Sequence, residues 1–198
     1  MSDFWKKDAT VWRKELLGKN YRVIYADPPW SFRDQMHPKY KGASYHYTTL
    51  KAKTIAELPV RELAGENCLL AMWWVPSQPE EALQVMKAWG FRLATMKGFT
   101  WVKRTKTSKR AFGLGHYTRG NTECCLFAVK GKTTKLIENR SISQLVESPI
   151  REHSRKPDEV RRLLERLTGG GNRIELFARS GHQGWDAWGN QAPVKEAA

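Results

Sequence analysis

The sequence predicts an α/β domain whose mainly parallel sheet carries helices on both faces. Three observations lead there. Short strand-length runs recur along the chain, and one of them, 67–75, is almost continuously apolar, as strands buried on both faces are. Segments of helical period separate several of these runs, notably 77–89 and 157–167. A chain of 198 residues with 40% hydrophobic and 27% charged residues can also bury one sizeable core, so one domain over 1–198 is expected. In such a sheet ligands bind beyond the carboxyl ends of the strands.

Taken in order, residues 3–17 form an amphipathic helix with Phe4, Trp5, Val11, Trp12, Leu16 and Leu17 as its apolar set, and Gly18 and Asn20 end it. Residues 21–26 are a buried strand, stopped by Pro28. Residues 31–48 are polar, aromatic and basic without a period, and a loop this long reads as a segment that closes over a substrate. A helix over 54–64, broken near Pro59, precedes the strand 67–75. Ser77 and Glu80 form a capping box for a helix through Trp89, with Pro79 in its first turn and Gly90 as its stop.

A strand at 91–102 follows, with Gly98 as a bulge, then an irregular basic segment over 103–120 and a strand at 122–129. Residues 144–147 suggest a short strand. Pro157 opens a helix with Val160, Leu163, Leu164 and Leu167 on its apolar face and Arg161, Arg162 and Arg166 elsewhere. Gly169 to Gly171 end it, 173–178 is the last clear strand, and 192–198 is a frayed tail. Gly131-Lys132-Thr133 imitates a phosphate-binding loop, but the glycine required five residues earlier is Leu126, so that reading fails.

The corner Asp27-Pro28-Pro29-Trp30 carries the clearest chemistry. It presents a carboxylate, backbone carbonyls and a large flat ring at a strand end. The carboxylate and the Pro28 carbonyl can accept both protons of an amino group, while Trp30 stacks on the ring that bears it. The plainer alternative is a rigid turn with Trp30 as a core plug.

The formal charge of +14 points to a polyanionic partner, nucleic acid first and an anionic membrane second. No apolar run reaches membrane-spanning length and no signal peptide is visible, so a cytoplasmic protein is expected. Cys68, Cys124 and Cys125 lack disulfide or metal spacing and read as reduced packing residues. His37 and His46 have no evident third ligand, so no metal is expected. Lys103, Arg104, Lys106, Lys109 and Arg110, followed by His116, Tyr117 and Arg119 among glycines, read as a nucleic-acid-binding loop.

Three separated motifs together resemble one family. Asp27-Pro28-Pro29-Trp30 resembles the catalytic motif of amino-group methyltransferases that act on nucleic acid. His153-Ser154-Arg155-Lys156-Pro157-Asp158-Glu159 is similar to their motif before a cofactor-side helix. Ile174-Glu175-Leu176-Phe177-Ala178-Arg179 is similar to their cofactor strand. Catalytic motif first and cofactor strand last is the order of circularly permuted members. The closing Gly189-Asn190-Gln191 narrows the resemblance to the adenosine-N6 methyltransferases, which include the eukaryotic mRNA enzyme and bacterial and phage DNA relatives.

The resemblance implies a Rossmann-like methyltransferase fold, S-adenosylmethionine as donor and the 6-amino group of adenine as acceptor. It implies catalysis by Asp27, Pro28, Pro29 and Trp30, and donor contacts from Asp27, Lys156, Glu175, Phe177, Arg179, His182, Asn190 and Gln191, with weaker ones from Asp8 and Ala9. It places Trp30, Tyr47, Lys103, Arg104, His116, Arg119, Glu123 and Arg151 toward the substrate, Arg151 also as a loop anchor. Two departures stand out. Arg179 occupies a position that is glycine in general DNA amino-methyltransferases, and His182 stands one residue later than the histidine of the eukaryotic relative. DNA is the expected polymer, because a short basic chain without zinc fingers looks like a bacterial or phage enzyme. RNA is the nearest alternative, and a catalytically silent nucleic-acid-binding scaffold is the third, against which Asp27 argues. A monomer and a homodimer both remain open.

Overall fold

The computed structural model describes residues 16–31, 49–113, 117–151 and 155–192. The helix expected over 3–17 (apart from Leu16 and Leu17), the loop after Ser31 and the tail after Ala192 lie outside these residues. So do Asp8, Ala9, His37, His46, Tyr47, His116, His153 and Ser154.

Seven strands form one sheet. In chain order they are β1 (Tyr21–Ala26), β2 (Ala64–Trp74), β3 (Arg92–Arg104), β4 (Thr122–Lys130), β5 (Leu145–Pro149), β6 (Arg173–Leu176) and β7 (Asp186–Trp188), and in space β5-β3-β4-β2-β1-β6-β7. The neighbours β1–β2, β1–β6, β6–β7 and β3–β5 are parallel. Strand β4 runs antiparallel between β2 and β3. The sheet is therefore mixed, and the reversed strand matters: the start of β4 lies at the edge where β1, β2 and β6 end, so Glu123 reaches that edge from the opposite chain direction.

Period-two alternation divides the core between the two faces. Ile24, Leu70 and Met72 pack with Ile55 of α1 (Ala52–Ala56), with Val85 and Met86 of α2 (Pro79–Ala88) and with Trp89 just beyond it. Val23, Tyr25, Leu69 and Trp73 pack with Val160, Leu164 and Leu167 of α3 (Glu159–Thr168). Helices thus cover both faces, as expected. The break at Pro59 separates α1 from a single helical turn at Val60–Glu62. Gly90 closes the end of α2 at φ 83°, a left-handed conformation that glycine adopts freely.

Two local expectations need correction. The Ser77–Glu80 capping box does not form. Helix α2 begins at Pro79 behind Gln78, and the buried Gln78 side chain donates instead to the Ser31 carbonyl at 3.0 Å, tying the helix start to the corner after Trp30. Strand β3 also runs past residue 102, so Lys103 and Arg104 are strand residues rather than loop residues. Their charges are met across the sheet, Lys103 by Glu123 at 2.6 Å and Arg104 by Glu147 at 2.6 Å, and opposite charges on neighbouring strands let a basic pair sit in a strand. The irregularity expected at Gly98 is present. The register with β4 shifts between Thr95 and Phe99, and a Cβ on Gly98 would stand 2.3 Å from the Phe127 ring. Among the described residues no helix is long and apolar enough to cross a membrane.

Candidate active site

The site lies where β1 and β6 end side by side. Tyr25 is in register with Glu175 and Ala26 with Leu176, so Asp27 and Phe177 leave the sheet together. Pro28 forces the chain out of the ladder after Asp27. The Pro28 carbonyl accepts from the Trp30 N–H at 2.8 Å and the Pro29 carbonyl accepts from the Leu50 N–H at 2.8 Å, which fixes the corner. A carbonyl has two lone pairs, so the Pro28 oxygen retains acceptor capacity for a substrate amine. Phe177 turns at φ 61°, an uncommon conformation for a bulky residue, and packs edge-on against Trp188 at 5.6 Å.

Trp30 departs from the expectation of a free stacking face. It is 6% exposed, belongs to the core and donates its indole N–H to the Trp73 carbonyl at 2.9 Å. A buried indole needs a partner for its one donor, and the strand beside it supplies one. The plug reading describes its placement.

Lys156, on the segment before α3, reaches back to the corner. Its Nζ lies 3.0 Å from Asp27 Oδ1, 3.1 Å from Asp27 Oδ2 and 3.2 Å from Glu123 Oε2, and 5.6 Å above the Trp73 ring. Lys103 bonds the same Glu123 at 2.6 Å. Two cations and two anions therefore alternate along the row Lys103, Glu123, Lys156, Asp27. Burial disfavours the charge on Lys156, but Asp27 and Glu123 overcome this and hold its ammonium above the ordinary lysine range. Burial pushes the Glu123 carboxyl up, and Lys156 with Lys103 more than offsets that, leaving it below the usual range. Asp27 terminates the row and shares one lysine with Glu123. Burial therefore wins, and its carboxyl is raised despite Lys156.

A cleft opens beside this row. Asp27, Lys156, Glu175, Phe177, Arg179 and His182 all line it, so it gathers six of the eight residues expected on the donor side. The other two, Asn190 and Gln191, are exposed and follow β7. They come close through the backbone: the Ala178 N–H bonds the Trp188 carbonyl at 2.9 Å, and a Cβ on Gly189 would stand 2.4 Å from the Ala178 carbonyl oxygen. Only glycine permits that approach.

Glu175 is gripped from α3. Arg161 Nη1 bonds both of its carboxylate oxygens, at 3.0 and 2.9 Å, and Arg161 Nη2 bonds Asp158. Burial pushes the Glu175 carboxyl up to about 7, with Arg161 acting against it. Burial and then the Arg161 charge lower the His182 imidazole, which stands 4.0 Å from Glu175 and 3.2 Å from the Ser180 hydroxyl. Arg151 turns away from the cleft to Asp158 at 2.5 Å and to the Lys156 carbonyl at 3.4 Å, the loop-anchoring position rather than a substrate-facing one. Arg104 is likewise taken up by Glu147. Arg119 is exposed, together with Phe112 and Tyr117 on the same connection.

Sequence reasoning did not single out Tyr25, Arg155, Arg161 or Ser180, all of which line the cleft. Tyr25 was detectable: side chains two apart in a strand share a face, so Tyr25 lies on the Asp27 side. Its hydroxyl accepts the Trp73 indole N–H at 2.7 Å. Arg161 left no such signal, because an arginine on an amphipathic helix reads as solvent-facing. Among the described residues no group of three histidines, cysteines, aspartates or glutamates could hold a metal ion.

The seven-stranded sheet with helices on both faces is that of an α/β methyltransferase fold. The family model described as MT-A70 matches residues 21–191, and the chain belongs to the MT-A70 family. It is 32% identical over 195 residues to the Type II methyltransferase M.MunI from Mycoplasma sp, covering 90% of this chain and 81% of that protein. It is 31% identical over 189 residues to a putative N(6)-adenosine-methyltransferase MT-A70-like protein from Medicago truncatula, covering 93% of this chain and 28% of that one. It is 28% identical over 180 residues to a human N(6)-adenosine-methyltransferase catalytic subunit, covering 89% and 29%. The chain thus spans most of the mycoplasmal relative and under a third of these two eukaryotic ones.

Proposed function

We propose that this chain is one catalytic domain that uses S-adenosylmethionine to methylate the 6-amino group of adenine in DNA, acting in the cytoplasm. The observation that carries the reading is the junction of Asp27, held by Lys156, with a cleft lined by Glu175, Phe177 and Arg179. That lining suits a zwitterionic amino acid joined to a nucleoside. Glu175 and Arg179 would hold the ribose region, Lys156 would stand near the carboxylate, and Phe177 with the neighbouring Asn190 and Gln191 would flank the base.

When bound, this donor supplies a methyl group on a positively charged sulfur, open to in-line attack by an amine. The chain's own part is to hold the acceptor. Asp27 and the Pro28 carbonyl accept the two amino hydrogens, fixing the nitrogen lone pair on the donor side at a reacting distance of about 3 Å. The upshifted Asp27 carboxyl is a stronger acceptor than an ordinary aspartate and can take the proton the nitrogen must shed. Lys156 keeps that carboxylate oriented, and Glu123 fixes Lys156.

The polymer contact is assigned to the connection after β3. Lys106, Lys109, Arg110 and Arg119 are exposed there, with Phe112 66% and Tyr117 100% exposed among them, so cations and stacking rings share one surface. DNA is preferred on the likeness to the Type II methyltransferase, at 32% identity. A base inside a duplex is out of reach, so it must flip out or come from a single strand. Labelled donor offered with double-stranded DNA, single-stranded DNA and RNA in parallel tests the reading. Label in DNA supports it, label in RNA alone moves the substrate to RNA, and no label in any polymer overturns it.

A further inference from the structure

Helix α3 contains one residue that its amphipathic pattern does not explain. Arg161 would be solvent-facing on the sequence pattern, yet it is 8% exposed and turned into the protein. Burying a guanidinium is costly unless each of its hydrogen-bonding edges finds an anion. Arg161 meets two anions: Nη1 spans both oxygens of Glu175, and Nη2 bonds Asp158, the residue before α3. Asp158 is in turn held by Arg151 and Arg155. The result is a rigid brace from the N-terminal end of α3 to the one carboxylate on the β6 side of the cleft.

We propose that Arg161 is a positioning residue for donor binding: it fixes the orientation of Glu175 and favours its carboxylate form, so that Glu175 can accept hydrogen bonds from the donor's ribose. This rests on the donor assignment of the cleft made above. The need for such a residue follows from the other groups facing Glu175. Asp27 at the β1 end and Asp158 disfavour its charge, and burial does so most. Lys156, Arg155 and Arg179 line the same cleft, and His182 approaches at 4.0 Å without ordinarily carrying charge at neutral pH. Arg161 is the cation in direct contact with both carboxylate oxygens. The planar guanidinium holds Glu175 through Nη1 while Nη2 is fixed by Asp158, so it supplies direction as well as charge, which a lysine ammonium does not.

The test is calorimetric titration of S-adenosylhomocysteine into the full chain between pH 5.5 and 9, for the wild type, Arg161→Met, Arg161→Lys and Glu175→Gln. The wild type should bind more tightly as pH rises through about 7. Arg161→Met should move that midpoint up by about one unit or more, weakening binding at pH 7 by roughly tenfold while leaving much of the affinity at pH 9. Arg161→Lys should recover the midpoint better than the affinity, since it restores charge but not the fork. Glu175→Gln should bind weakly with no titration in this range, and Arg161→Met should cost little more in that background. A midpoint that Arg161→Met leaves in place overturns the proposal, even if the variant is less stable. A titration that persists in Glu175→Gln also overturns it and assigns the pH dependence to His182. A wild type that fails to bind S-adenosylhomocysteine at any pH refutes the donor assignment itself, so the two failures are distinct.

Discussion

Replacing Lys156 with methionine removes the ammonium that two buried carboxylates share and leaves a side chain of similar length. In the wild type that ammonium makes three contacts of 3.0 to 3.2 Å with Asp27 and Glu123, and its side chain is 12% exposed. Glu123 keeps a partner in Lys103, whereas Asp27 loses the cation bonded to it. Breaking a buried pair from one side costs about 3–5 kcal/mol, most of it the penalty of the uncompensated charge. The loss must depend on pH in a definite direction. The Asp27 carboxyl is already raised by burial and rises further without the ammonium, so the folded variant binds a proton that the unfolded chain at the same pH does not. Such a group penalises folding more as pH rises and less as it falls toward the unfolded pKa. Lys156 itself stays charged throughout, because its raised pKa keeps its contribution intact until well into the alkaline range. Urea unfolding of wild type and variant should therefore show a loss of about 3–5 kcal/mol at pH 8, shrinking by about 1–2 kcal/mol at pH 5.5. Adding Asp27→Asn should recover part of the loss at pH 8 and remove its pH dependence. A loss under about 1 kcal/mol, or an equal loss at both pH values, would refute the account of the Lys156 row.

Other outcomes follow from the same structure. Glu175, with its carboxyl pushed up to about 7, should make the ligand-free protein lose stability as pH rises from the ordinary glutamate range toward 7, and Glu175→Gln should flatten that slope in thermal unfolding. Gly98→Ala drives a methyl group into the Phe127 ring and should cost about 1–3 kcal/mol in urea unfolding, with Phe127→Leu in the same chain returning much of it. Neutralising Lys106, Lys109 and Arg110 together should weaken nucleic-acid binding and lower the salt slope of log K by up to about 3. An unchanged slope would place the phosphate contact elsewhere.

Much of this site could be read before any coordinates, and the remainder shows what a linear pattern lacks. The Asp27 corner was legible because two prolines dictate where a strand must stop. That Lys156, Glu175 and Arg179 belong together could be read from motifs of fixed spacing, and the structure brings these residues to one cleft. The direction of β4 was not legible, since an apolar strand reads the same either way, and so its delivery of Glu123 to Lys156 could not be derived from pattern alone. Lys103 and Arg104 looked like loop residues because the acids that neutralise them, Glu123 and Glu147, are distant in sequence. Arg161 was hidden for the same reason: its partner Glu175 lies on another element, 14 residues away. The choice between a stacking face and a core plug for Trp30 was not legible, because its hydrogen-bond acceptor, the Trp73 carbonyl, belongs to a neighbouring strand.

The central claim is that Asp27 presents an adenine amino group to a methyl donor held in the adjoining cleft. It is tested most directly by incubating the chain with S-adenosylmethionine and DNA, digesting the product to nucleosides and measuring N6-methyladenine by mass spectrometry beside an Asp27→Ala control that still folds. The account predicts N6-methyladenine from the wild type and its loss, by roughly a thousandfold or more, in the control. Methylation of another base, or N6-methyladenine formed equally well without the Asp27 carboxylate, would contradict it.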